Sequence, residues 1–108
     1  MPVDTQRSMS APPEVVFNTA TDPDRVGAWL PEPLLAANDR RAGDQPLEAR
    51  WAAPDGWSAV LRVDEVPAGG ALARLRLEAD NAPDRLTGIA EEALTCLARE
   101  VADNLTAG

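Results

Sequence analysis

The stretch NAPDRLTGIAEEALTCLAREVADNL, residues 81–105, decides the fold. Leu86, Ile89, Ala90, Ala93, Leu94, Leu97, Ala98, Val101 and Leu105 recur at spacings of three and four. On a helix that spacing makes one apolar stripe. Asn81 is placed to cap the N-terminus, and Pro83 fits the first turn, where a missing N–H has no helical partner. Asp84 lies where the helix dipole favours negative charge, and Arg99 lies toward the end that favours positive charge. Burying each Leu, Ile or Val side chain is worth roughly 1.5–3 kcal/mol, so this helix needs a broad apolar surface to pack on.

That surface lies directly upstream. Leu47, Ala49, Trp51 and Ala53 alternate with Glu48, Arg50 and Ala52; Pro54-Asp55-Gly56 makes a turn. Trp57, Ala59, Leu61 and Val63 alternate with Ser58, Val60, Arg62 and Asp64, and Pro67-Ala68-Gly69-Gly70 makes a second turn. Ala73, Leu75, Leu77 and Ala79 alternate with Leu72, Arg74, Arg76 and Glu78. Three period-two runs joined by short turns predict an antiparallel meander with one wet and one dry face. At the N-terminus, residues 2–10 alternate imperfectly, with Val3, Thr5, Arg7 and Met9 on one face, and predict a first strand. Pro12 and Pro13 open a helix over about residues 12–20, with Ser10 available as its cap. Asp22-Pro23, with Thr21 or Asp22 as cap, opens a second helix that runs through Val26 and Trp29 and stops before Pro31. Leu34 to Ala37 fits either a strand or a helical fragment, and residues 38–46 read as a loop.

A chain of 108 residues with 44% hydrophobic side chains makes one domain spanning 1–108. No apolar run nears the ~20 residues that span a bilayer. The absence of a visible export leader and the single cysteine, Cys96, lead us to expect a cytoplasmic protein. A net charge of −8 and a pI near 4.3 disfavour nucleic acid and anionic membranes as partners. There is no His, Lys or Tyr, which removes imidazole-based nucleophile systems, Schiff-base chemistry and imidazole metal ligands, and no cofactor or metal is expected.

Strand, two short helices, antiparallel strands and a long closing helix, in that order, resemble the helix-grip fold of the START-like superfamily. Within it the chain is most similar to the bacterial polyketide cyclase/dehydrase branch, often called SRPBCC. Ser10-Ala11-Pro12-Pro13-Glu14-Val15-Val16-Phe17 resembles that family's strand, Ala-Pro, Val-Phe opening. Asp22-Pro23 followed by Trp29 resembles its second helix, and Ala93-Leu94 to Leu105 its closing helix. Family members are usually some tens of residues longer, so this chain reads as a shortened member.

The resemblance implies an α+β fold, an antiparallel sheet wrapped around the C-terminal helix. It also implies binding of a small hydrophobic or amphipathic molecule between the two. Trp29, Trp51, Trp57, Leu61, Leu75 and Leu94 would line that site, with Trp29 at its mouth. Core packing is the other role that suits the three tryptophans. Arg7 shares a face with Val3, Thr5 and Met9, where it would anchor a carboxylate, snorkel to water, or pair with Glu91 or Glu92. Arg50, Arg62, Arg74 and Arg76 fall on the wet face with Glu48, Asp64 and Glu78, as cross-strand ion pairs. Val60 and Leu72, also on that face, are single exposed aliphatics or part of a homodimer surface. Gly88 inside the helix points to a close approach or to room for a ligand. Two alternatives to ligand binding stay open: a cyclase-like enzyme working by positioning, and an interaction module that completes its sheet against a partner or a second copy.

Overall fold

The structure, a computed structural model, describes residues 2–37, 40–54, 56–80 and 86–107. Strand β1 (Val3–Met9) leads into helix α1 (Pro13–Thr21), a single 3₁₀ turn (Val26–Ala28) and helix α2 (Glu32–Ala37). Strands β2 (Arg40–Ala42), β3 (Glu48–Ala52), β4 (Ser58–Glu65) and β5 (Ala71–Glu78) follow, and helix α3 (Leu86–Ala107) closes the chain. The five strands form one antiparallel sheet in the order β1-β5-β4-β3-β2. β1 returns to pair with β5 from Val3 opposite Leu77 to Met9 opposite Ala71. This is the helix-grip arrangement expected from the order of elements.

The period-two runs land in register. Ala49, Trp51, Ala59, Leu61, Val63, Ala73, Leu75 and Leu77 are all buried on the inner face. α3 lays Leu86, Ala90, Ala93, Leu94, Leu97 and Val101 against them. Alanines at 49, 59, 73, 90 and 93 keep side chains short where sheet and helix meet, so leucines can fill the gaps between them. Leu34 of α2 and Val16 of α1 reach 0% exposure and close the ends of this core. The buried Thr19 hydroxyl donates to the Val15 carbonyl at 2.7 Å and accepts from Asn104 Nδ2 at 3.1 Å, which ties α1 to α3.

Several expectations change. α1 takes Pro12 rather than Ser10 at its N-cap, with no side-chain cap bond, because the two prolines already fix the backbone there. The second helix shrinks to a turn at residues 22–25 and the 3₁₀ turn, since only nine residues separate Thr21 from Pro31. Asp22 does start that turn: its Oδ1 accepts from the Asp24 amide at 2.9 Å. The Leu34–Ala37 segment is helical, and the expected loop at 38–46 contains β2, which adds a fifth strand against β3. Leu105 lies outside the core at 48% exposure. Asn81, Pro83 and Asp84 lie outside the described residues, and among the described residues no helix is long and apolar enough to cross a membrane.

Candidate functional site

The space between sheet and helix is occupied by the chain's own side chains. Trp29 and Trp51 meet edge to face, with ring centroids 5.4 Å apart and planes at 82°. Such pairs contribute about 0.5–1.5 kcal/mol beyond their buried area. Trp29 Nε1 donates to the Ala20 carbonyl at 3.0 Å, so the ring is fixed from α1 as well. Leu61, Leu75 and Leu94 are buried in the same core. Trp57, just before β4, packs half-buried at its rim. Six of the seven residues expected at a ligand site therefore belong to one apolar cluster or its edge.

Arg7 departs from that cluster. It keeps the predicted face of β1 but is exposed, and it forms no ion pair with a described residue. β1 is an edge strand, and its guanidinium escapes into water beside α3 rather than bearing the cost of burial. There it shares a groove of about 280 Å³ with Thr5, Gln6, Glu91, Leu94 and Thr95.

A second opening lies on the other flank of α3. Ala28, Trp29, Leu30 and Pro31 face Ile89, Glu92, Ala93 and Cys96 across a pocket of about 240 Å³. Trp29 thus has two sides, one against Trp51 and one lining this pocket. The covering segment is tied to the helix by Arg25, whose guanidinium donates to Glu100 at 3.3 Å and to Asp103 at 3.2 Å. The Asp103 hydrogen bond raises the Arg25 pKa above its ordinary value; desolvation opposes it, and the charges of Asp103 and Glu100, with the Glu100 hydrogen bond, add to the rise. Glu92 and Cys96 are the ionisable groups on this pocket, and Glu92 is exposed to water. Among the described residues no three Cys, Asp or Glu side chains gather as a metal site would require.

The family resemblance put Trp29 at the mouth of a site; Ala28, Pro31, Ile89 and Glu92, which share the opening beside it, were not among the expected site residues. Ile89 was legible only as part of the apolar stripe of the last helix, and Glu92 only as a possible partner of Arg7. Their meeting with the Pro31 turn is a product of tertiary packing.

Comparison with known proteins agrees with the fold. The chain aligns with the AHSA1-like protein from Aeromonas hydrophila over 96% of its own length and 94% of that chain, at a TM-score of 0.71 and 14% identity. It aligns with TTHA0849 from Thermus thermophilus over 96% and 99%, at 0.69 and 16%. CalU16 from Micromonospora echinospora matches over 97% of this chain and 78% of that one, at 0.62 and 19%. No protein-family profile matches the sequence, and no curated protein matches it. At these identities the likeness is one of fold.

Proposed function

We propose that this chain is a START-like domain that binds a small hydrophobic or amphipathic molecule at Trp29, between the Ala28–Pro31 turn and the C-terminal helix and beside the packed sheet–helix interior. The observation that carries the reading is the pocket where Trp29, Ile89 and Ala93 present apolar surface to an opening beside the packed interior. Small-molecule sites are concave, mostly apolar, and carry few polar groups. This pocket is open, and its lining joins the apolar side chains of Trp29, Ile89 and Ala93 to Glu92 and Cys96, which suits an amphipathic more than a purely apolar molecule. Its volume of about 240 Å³ lies just below the range of roughly 300–1,000 Å³ typical of ligand pockets, so a larger ligand would displace the Trp29 ring or the Ala28–Pro31 turn. Binding is favoured over acid–base chemistry because the one carboxylate on the pocket among the described residues, Glu92, is exposed to water and has no second carboxylate beside it on the lining.

Native mass spectrometry of freshly purified protein, beside a denatured sample, tests this. A small molecule carried at one per chain, and a thermal midpoint that rises when the same class is added back, is the expected result. Bare protein with no stabilisation by apolar compounds would refute it, and a bare dimer would favour an interaction role instead.

A further inference from the structure

We propose that the outer face of the sheet is a second binding site, for a small amphipathic oxyanion with an apolar body and one phosphate or carboxylate group. Strand register places Arg76 opposite Val60 and Val60 opposite Arg50 in one row across β5, β4 and β3. In the adjacent row Arg74 stands opposite Arg62. Partners across an antiparallel pair have Cα atoms about 4.5–5.5 Å apart, and successive same-face residues lie about 6.8 Å apart along a strand. Four guanidinium groups therefore hang over one patch, an open groove of about 570 Å³ that Val60 also lines.

The way these arginines are held points to a ligand. Like charges directly opposite one another destabilise a sheet. Arg62 and Arg74 are reconciled by Asp64, which accepts a hydrogen bond from Arg62 Nε at 3.2 Å and forms an ion pair with Arg74 Nε at 3.4 Å. Both contacts use the Nε atom, so the terminal nitrogens of both forks stay available in the groove. Arg50 is held through Nη2 by Asp44 at 3.0 Å and Glu48 at 3.4 Å. Arg76 stands opposite Asp4, yet it forms no ion pair with a described residue. The acids of this face orient guanidinium groups and leave donors unspent, an arrangement suited to bidentate recognition of a phosphate or carboxylate. The Val60 side chain between them supplies contact for an apolar body.

Charge selects the size of the occupant. With a net charge of −8, the whole chain repels a polyanion in proportion to the partner's charge, which disfavours nucleic acid and acidic protein. A small anion meets little of that repulsion, and the groove has the volume of a small-molecule site.

The test is a titration of the intact chain with phenyl phosphate, followed by ¹⁵N–¹H spectra, with inorganic phosphate and benzoate in parallel. Saturable shifts should centre on Val60, Arg62, Arg74 and Arg76, and phenyl phosphate should bind more tightly than inorganic phosphate. The benzoate arm separates a carboxylate from a phosphate preference, and saturable binding of either at these residues supports the site. Arg76→Gln should weaken binding about fivefold or more. Arg99→Gln, an equal loss of charge on the exposed surface of α3, should change it by less than about twofold. Three results would overturn the proposal: no saturable shift, equal losses in the two variants, or tighter binding of a poly-glutamate peptide to the same face.

Discussion

Replacing Trp29 with phenylalanine isolates the hydrogen bond that fixes the pocket's central ring. The Ala20 carbonyl lies one residue before the end of α1, and Ala20 is fully buried. Its ordinary helical donor would be the Asp24 amide, but that amide donates to Asp22 Oδ1 instead. Trp29 Nε1, at 3.0 Å, fills the place. Phenylalanine removes the donor and strands a buried acceptor, at a cost of about 1–3 kcal/mol. It also removes the apolar area of the fused ring, worth about 1 kcal/mol, while part of the edge-to-face contact with Trp51 survives. The sum is about 2–4 kcal/mol, which in a domain of this size lowers the thermal midpoint by about 10–20 °C. Urea unfolding followed by far-ultraviolet circular dichroism reads this without relying on indole fluorescence. Trp51→Phe trims the same ring pair but spares the Ala20 bond, so it should cost less, about 1–2 kcal/mol. A Trp29→Phe cost no greater than that of Trp51→Phe would refute the reasoning.

Other substitutions have equally definite outcomes. Gly88 is exposed, and a Cβ added there meets nothing within 4 Å, so Gly88→Ala should stabilise α3 by up to about 1 kcal/mol; a fall in thermal midpoint would show that the glycine has a packing role. Gly70 has φ +90°, and an added Cβ would lie 2.7 Å from the Met9 carbonyl oxygen, so Gly70→Ala should cost about 1–3 kcal/mol in denaturant unfolding. Arg25→Met should speed amide hydrogen exchange at Leu30 and Leu34, because it cuts the tie from the covering segment to Glu100 and Asp103. Since the folded pKa of Arg25 is raised, its contribution is complete below the unfolded value and is lost only as pH rises through the folded one. The stability difference between wild type and variant should therefore stay flat across about pH 6–9.

The elements that were legible in the sequence are those with a long, unbroken period. The meander and α3 each repeat one burial pattern over many residues, and burial on one face forces the structure to follow it. The segment from Asp22 to Pro46 has no such repeat. Pro23, Gly27, Pro31 and Pro33 cut it into pieces too short for periodicity to register, and the 3₁₀ turn, α2 and β2 are fixed by tertiary contacts. The candidate site divides in the same way. Trp29 and Trp51 were identifiable as large aromatics beside the interior, but their mutual contact and the Ala20 bond depend on how that irregular segment folds back. Arg7 lay on the expected face, yet alternation alone does not distinguish a strand at the sheet edge from one at its centre. The pairing of β1 with β5 alone, at the edge, explains its exposure.

The central claim is that an apolar molecule binds at Trp29, between the Ala28–Pro31 turn and α3. Intermolecular nuclear Overhauser effects from bound 2-naphthol to the methyl groups of methyl-labelled protein test it most directly. The account predicts saturable contacts to Ala28, Ile89 and Ala93, with the Trp29 indole N–H resonance moving in step. Contacts confined to other surfaces, or none up to the solubility of the probe, would contradict it.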